Sequence, residues 1–326
     1  MIPIDLKYSK LSLPETDNHT IVLVTCSNLR HRRFALRFQQ EFPNNVIAWF
    51  EIRPKKKNII IRRNYKNIIK DFLKSLLIKS GTYKFYYIAR TFAYTIKKKK
   101  LLKFNLVVQS ALKTLEQKQI PTLYKEFFRT AEKNIFASEV KRLEKYKTLN
   151  PIIIENTDNL SFKKRIKSLD PYFFLSLGGS LYKKGILDSI RGICINQHAG
   201  HSPEMKGTKT IEWAFYHRRI DYISSTVHIT RTGADSGEIL RRSQPTLIES
   251  DNVGTCFSKV VALGTELMID AVKEIMSNKV INVYKQPLNI GRTYLSEDFK
   301  PYVMESIYYD HNNKWLQNEL DRLNKY

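Results

Sequence analysis

The feature that most constrains the fold is a set of short, uninterrupted apolar runs, each closed by polar or turn-forming residues. Thr20 to Thr25 reads Thr, Ile, Val, Leu, Val, Thr before Cys26, Ser27 and Asn28. A run without polar alternation has to be covered on both faces, the condition of a strand in a parallel sheet flanked by helices. A helix from about Leu29 to Phe42 is expected next, because Phe34, Ala35, Leu36 and Phe38 form an apolar stripe and Ser27 or Asn28 can cap its start. A second strand at Asn45 to Ile52, closed by Pro54, completes a strand, helix, strand opening to an α/β domain. Residues 1–19 read as a loose leader. No Gly-x-Gly-x-x-Gly follows the first strand, so the dinucleotide fingerprint is missing.

The alternation then breaks. From about Asn64 to Lys118 the pattern is long, helical and basic, with Ile68, Ile69, Phe72, Leu73, Leu76 and Leu77 at helical spacing and aromatics from Tyr83 to Tyr94. A further helix is expected from Thr122 to about Tyr146. Charge concentrates here: Arg53 to Lys147 holds 26 Lys and Arg against 6 Asp and Glu, a net +20 of the chain's formal +24. Such a segment either solvates helix faces or meets an anionic partner. The same two readings apply where Arg30, His31, Arg32 and Arg33 crowd the start of the first helix, a placement opposed to the helix dipole.

The α/β rhythm resumes with strands at Pro151 to Glu155 and Tyr172 to Leu177, a helix or turn at Ser161 to Ser168 between them, and a strand from Ile193 to Asn196. A helix at Thr210 to His217, a strand at Ser225 to Thr230, a helix from about Lys259 to Met276 and a closing helix from about Pro301 complete the reading. At 326 residues, one large domain with an addition is expected. No run approaches the roughly 18 apolar residues of a membrane span, and Met1 to Pro14 lacks the pattern of a secretory signal, so a cytoplasmic protein is expected. Cys26, Cys194 and Cys256 are too dispersed for a disulfide framework or structural zinc. His198 and His201 have no third ligand at sensible spacing, so no metal is expected.

The strand from Ile193 delivers Asn196 and His198, two residues apart, into a polar loop, and Asp235 follows after the next strand. An amide donates a hydrogen bond without taking up a proton, which suits an oxyanion that appears and disappears during acyl transfer. An imidazole can donate to the same oxygen or shuttle a proton, with a carboxylate to orient it. None of the three is a good covalent nucleophile, which points to direct attack by a substrate amine on a bound acyl donor.

Asn196, His198, Ser202, Pro203, Lys206 and Gly207, followed by Thr226, His228, Asp235, Gly237 and Ile239, resemble the signature of formyltransferases that use 10-formyltetrahydrofolate. That family includes glycinamide ribonucleotide, methionyl-tRNA and sugar N-formyltransferases. The resemblance covers roughly Thr20 to Ile52 and Ile152 to Leu247. It implies an α/β fold, a Rossmann-like formyltransferase core with a mostly parallel sheet, plus a basic helical insertion and a short helical C-terminal tail. In those terms 1–54 and 151–285 form the core, 55–150 the insertion and 286–326 the extension.

By resemblance, Asn196 and His198 stabilise the oxyanion that develops as an amine attacks the formyl carbon, and Asp235 assists proton transfer. Leu177, Gly178, Gly179, Ser180 and Leu181, with Arg231, Thr232, Gly233 and Ala234, would hold the pteridine. Ser27, Asn28, His201, Pro203, Lys206 and Gly207 would face the acceptor, although His201 reads equally as a surface-loop histidine. Lys206 stands where Arg is commoner, and Glu204 and Met205 replace the usual aromatic approach, which leaves the acceptor open.

The resemblance therefore implies an N-formyltransferase acting on a nucleotide-linked amino sugar for surface polysaccharide synthesis. The alternative is a methionyl-tRNA formyltransferase-like enzyme or RNA-binding protein that grips nucleic acid with its basic insertion. Against it, methionyl-tRNA enzymes of the family carry a carboxyl-terminal β-barrel, whereas the tail after Pro287 reads as short and mostly helical. The insertion would equally suit contact with anionic lipid at the inner face of the membrane, a homodimer interface or a lid.

Overall fold

The computed structural model describes residues 7–16, 18–54, 104–146, 148–179, 182–287 and 289–323. Most of the basic stretch expected to be helical, and the expected pteridine residues Ser180 and Leu181, lie outside them. The chain divides into two compact units, 56–125 and the remainder, 1–55 with 126–326.

The elements run β1 (Tyr8–Ser12), β2 (Ile21–Thr25), α1 (Leu29–Glu41), β3 (Val46–Ile52), α2 (Phe104–Leu143), β4 (Ile152–Ile154), α3 (Leu160–Leu169), β5 (Phe173–Leu177), α4 (Lys184–Leu187) and β6 (Ile193–His198). They continue through β7 (Met205–Gly207), α5 (Thr210–Tyr216), β8 (Ser225–Ile229), β9 (Ile239–Ser243), α6 (Val253–Ser277), β10 (Val280–Tyr284), β11 (Arg292–Tyr294), α7 (Pro301–Asn312) and α8 (Trp315–Leu323). Among the described residues nine strands form one sheet in the order β1-β10-β9-β8-β6-β5-β2-β3-β4. From β6 to β4 all pairings are parallel. From β6 outward through β8, β9, β10 and β1 they are antiparallel. The expected α/β class and parallel centre are present, and an antiparallel half extends them.

The continuous apolar run of β2 is explained by its two faces. Ile21 and Leu23 enter one core with Phe34 and Phe38 of α1 and Val261, Met268 and Val272 of α6. Val22 and Val24 enter a second core with Phe162 and Ile166 of α3 and Ile186 of α4. Each such side chain contributes about 1.5–3 kcal/mol by leaving water, so polar alternation would have cost the strand one of its covering layers.

Four expectations change. Residues 1–19 are not simply a loose leader: β1 pairs antiparallel with β10, Tyr8 opposite Tyr284, as an exposed edge strand. The helix expected from Lys259 starts at Val253, because Asn252 accepts from the backbone N–H groups of Gly254 and Thr255 while its own N–H donates to the Thr255 hydroxyl. The helix expected from Thr122 is the continuation of α2, which includes Pro121, and its Phe136, Val140 and Leu143 join the first core. The closing helix is two, α7 and α8, with Val303 and Ile307 fully buried and Arg218 paired to Asp310 at 2.6 Å. Among the described residues no helix is long and apolar enough to cross a membrane.

Candidate active site

After β2 the chain builds outward to β3 and β4, then returns to place β5 and β6 on the other side of β2. The loops leaving β2 and β5 therefore diverge, and that divergence opens a crevice at the carboxyl ends of the strands. A cleft of about 390 Å³ lies there, lined from β6 and β8 by Asn196, His198 and His228, from the following turn by Asp235, and from α1 by Arg30 and His31. A larger surface cavity of about 640 Å³ lies between Leu247–Ser250 and α8, with Glu249 the one ionisable lining residue among those described.

Period-two alternation along β6 puts Asn196 and His198 on one face. Gln197 turns to the other, where its Nε2 donates to the carbonyl of Val261 in α6 at 2.7 Å. Ser176 of β5 donates to Asn196 Oδ1 at 2.9 Å, which fixes the amide with Nδ2 3.3 Å from His228 Nε2. Cross-strand register makes that meeting possible, since Asn196 lies opposite His228. His198 Nε2 is 3.0 Å from the Met205 carbonyl oxygen and its Nδ1 is 3.3 Å from Asp235 Oδ2. A Cβ on Gly200 would fall 2.2 Å from His198 Nε2, so only glycine leaves the ring its place.

Asp235 is the hub. Its Oδ1 lies 3.3 Å from His228 Nε2, and Oδ2 also accepts from the Gly207 N–H at 2.8 Å. Burial pushes its pKa upward, but His198, His228 and the Gly207 N–H together outweigh burial and hold the carboxyl below the usual carboxylate range. The arrangement is a fixed carboxylate that orients two imidazoles, beside an amide N–H₂ at the cleft wall. It can stabilise negative charge on an oxygen and move a proton, without a covalent nucleophile.

Of the expected pteridine residues, Leu177, Gly178, Gly179, Arg231, Gly233 and Ala234 line this cleft; Thr232 does not. Gly178 and Gly179 have φ of 74° and 98°, and a Cβ on Gly178 would fall 2.7 Å from His31 Nε2. The expected acceptor residues divide. Gly207 lines the cleft; His201, Pro203, Lys206, Ser27 and Asn28 do not. His201 hydrogen-bonds Ser224 at 2.9 Å and stacks on Tyr222, and burial, then Arg242, push its pKa down to about 4. Lys206 is buried where β7 pairs with β11. Among the described residues no group of three or more His, Cys, Asp or Glu could hold a metal.

Sequence reading missed Lys209, Tyr294 and Phe257, which also line the cleft. Tyr294 and Phe257 arrive from segments remote in sequence, with no local signal. His31 sits at the cleft with burial, then Arg30, driving its pKa to about 3. The basic first turns of α1 are engaged in ion pairs: Arg30 pairs with Glu132 at 3.0 Å, Arg32 with Glu144, and Arg33 with Glu139 and Glu266.

No known family model matches the chain. Over 144 residues it is 30% identical to the methionyl-tRNA formyltransferase of Thermodesulfovibrio yellowstonii, covering 44% of this chain and 46% of that protein. The chain thus spans about half the length of this curated relative. Among solved structures, a sugar N-formyltransferase from a Shewanella species aligns with 86% of this chain and 79% of its own at 12% identity and a TM-score of 0.47. A 4-N formyltransferase from Francisella tularensis aligns with 86% and 78%, at 13% identity and a TM-score of 0.46.

Proposed function

We propose that this chain transfers a formyl group from 10-formyltetrahydrofolate to an amine, and that the amine belongs to a nucleotide-linked amino sugar. The observation that carries the reading is the convergence of Asn196, His198 and Asp235 on one cleft at the carboxyl ends of the parallel strands. The partial similarity to a methionyl-tRNA formyltransferase supports the same chemistry.

The cleft suits a flat, polar donor. Its volume of about 390 Å³ falls in the roughly 300–1,000 Å³ range of small-molecule sites. Thr230 Oγ1, on its wall, is buried without a hydrogen-bond partner among the described residues. Gly178 and Gly179 let the backbone approach a ring closely. When bound, the donor supplies a formyl carbon whose leaving group is a secondary amine. Asn196 Nδ2 offers a donor to the developing negative oxygen, and Ser176 keeps it aimed. Asp235 holds His198 by Nδ1 and His228 by Nε2, so that these groups can take the proton lost by the attacking amine and return it to the secondary amine that departs.

The acceptor's anionic part would meet Arg30 and Lys209, cations on the cleft wall. A charged tRNA is the second reading, favoured by the similarity to a methionyl-tRNA enzyme and by the net +20 between Arg53 and Lys147. A transfer assay with a panel of amino-sugar nucleotides and charged initiator tRNA decides between them. Activity on the sugar nucleotides supports the first reading, and activity on the tRNA alone overturns it.

A further inference from the structure

The segment that follows β10 reaches Asp235 by two routes. Gln286 Nε2 donates to the backbone carbonyl of Asp235 at 2.8 Å and to that of Gly237 at 2.6 Å. Its Oε1 is buried and has no partner among the described residues, so the side chain is held there by its two N–H groups. Eight residues further on, Tyr294 of β11 pairs with Gly207, whose N–H donates to Asp235 Oδ2. One segment therefore braces both the backbone of Asp235 and, through Gly207, its carboxylate.

The backbone of Asp235 needs such a brace. Its φ is 45°, in the left-handed region that residues with a Cβ seldom occupy. Such conformations persist where the surroundings over-determine them. Clamping the carbonyls on both sides of Ser236 does that, and it also fixes where the carboxylate points. With the turn relaxed, the two 3.3 Å approaches of Asp235 to His198 Nδ1 and His228 Nε2 would no longer be imposed.

We propose that Gln286 is a positioning residue: its two N–H donors set the turn that places the Asp235 carboxylate between His198 and His228. Its effect on turnover rests on the formyl-transfer reading above; its effect on the imidazoles does not. Gln286→Leu keeps the approximate size and removes both donors. The expected result is a loss of about 10- to 100-fold in kcat with the acceptor KM within about twofold, as for a misplaced group that does not bind substrate. The ¹⁵N imidazole resonances of His198 and His228 should move in the direction that Asp235→Asn moves them. Resonances unchanged from wild type, or kcat unchanged, overturn the proposal. Should Gln286→Leu fail to fold, Gln286→Glu sets a carboxylate against the same two carbonyls and is read in the same way. A wild-type protein that formylates no acceptor overturns the reading of function, while the imidazole resonances still decide on Gln286.

Discussion

Two clusters of buried or half-buried charge make an instructive pair. In the first, Arg33 of α1 is 7% exposed and bracketed by Glu139 of α2 at 2.6 Å and Glu266 of α6 at 2.8 Å, with Arg37 on the other oxygen of Glu266. In the second, Asp235 faces His198, His228 and the Gly207 N–H, with the Asn196 amide alongside. The first cluster closes on itself: charge meets charge between helices, and neither Arg33 nor these partners line the cleft. The second opens on a cleft at the carboxyl ends of β5 and β6. On the proposed reading, clustered charge marks chemistry only where it also faces space at the topological switch point.

The comparison breaks if removing charge from the second cluster leaves turnover intact. Asp235→Asn keeps the shape and abolishes the negative charge that orients both imidazoles. A fall of about 10²- to 10⁴-fold in kcat/KM for formyl transfer is expected, the scale of general acid–base assistance. The same variant tests linkage. Because the folded carboxyl titrates below its unfolded value of about 3.9, its contribution to stability is complete above that pH and is lost as pH falls further. Acid unfolding of Asp235→Asn should therefore show a shallower pH dependence below about pH 4 than the wild type. Asn196→Ala removes one amide donor and should lower kcat by about 10²- to 10³-fold, with the melting temperature changed little. Wild-type turnover in Asn196→Ala would refute the assignment of that amide.

The first cluster should answer in the opposite currency. Arg33→Met leaves Glu139 without its closest partner and Glu266 with Arg37 alone. A buried pair broken on one side costs about 3–5 kcal/mol, and the 24% and 40% exposure of the two glutamates discounts that to about 1–3 kcal/mol. Urea unfolding should show that loss while turnover in the folded protein stays at the wild-type level. A large loss of turnover without loss of stability would mean that the α1 cluster serves the site after all.

How far the sequence exposes each region follows from the same physics. β2, β3, β5 and β6 are legible because burial on both faces demands continuous apolar runs. Asn196 and His198 are legible as a pair because strand alternation puts them on one face. β1 is not, since its half-exposed pattern acquires meaning only from β10, far along the chain. Gln286, Tyr294 and the partners of Arg30 to Arg33 are contacts across long sequence separations, which leave no local signature. The resemblance places Lys206 and Pro203 toward the acceptor, but both are buried, Lys206 where β7 pairs with β11. α2 delivers Phe136, Val140 and Leu143 to the main core, another contact that only the folded chain brings together.

His198 and His201 sharpen the comparison at its finest scale, because only Ala199 and Gly200 separate a ring that meets Asp235 from one that does not. His201 packs against Tyr222, Ser224 and Glu204. His201→Gln should leave formyl transfer within about twofold of wild type, as expected for a residue off the cleft wall. It should be visible in stability instead. With its pKa pushed down to about 4, against about 6.5 when unfolded, the neutral buried ring contributes fully above pH 6.5 and loses that contribution as pH falls through 4, because the unfolded chain takes the proton first. The unfolding free energy of His201→Gln should therefore decline less steeply across that window, by up to about 1.4 kcal/mol per pH unit for one proton. His31, pushed down to about 3, supplies a similar slope in both proteins, so the difference between them isolates His201. Identical slopes would show that His201 is not the buried neutral ring described, and a large loss of turnover would move it back to the acceptor side of the site.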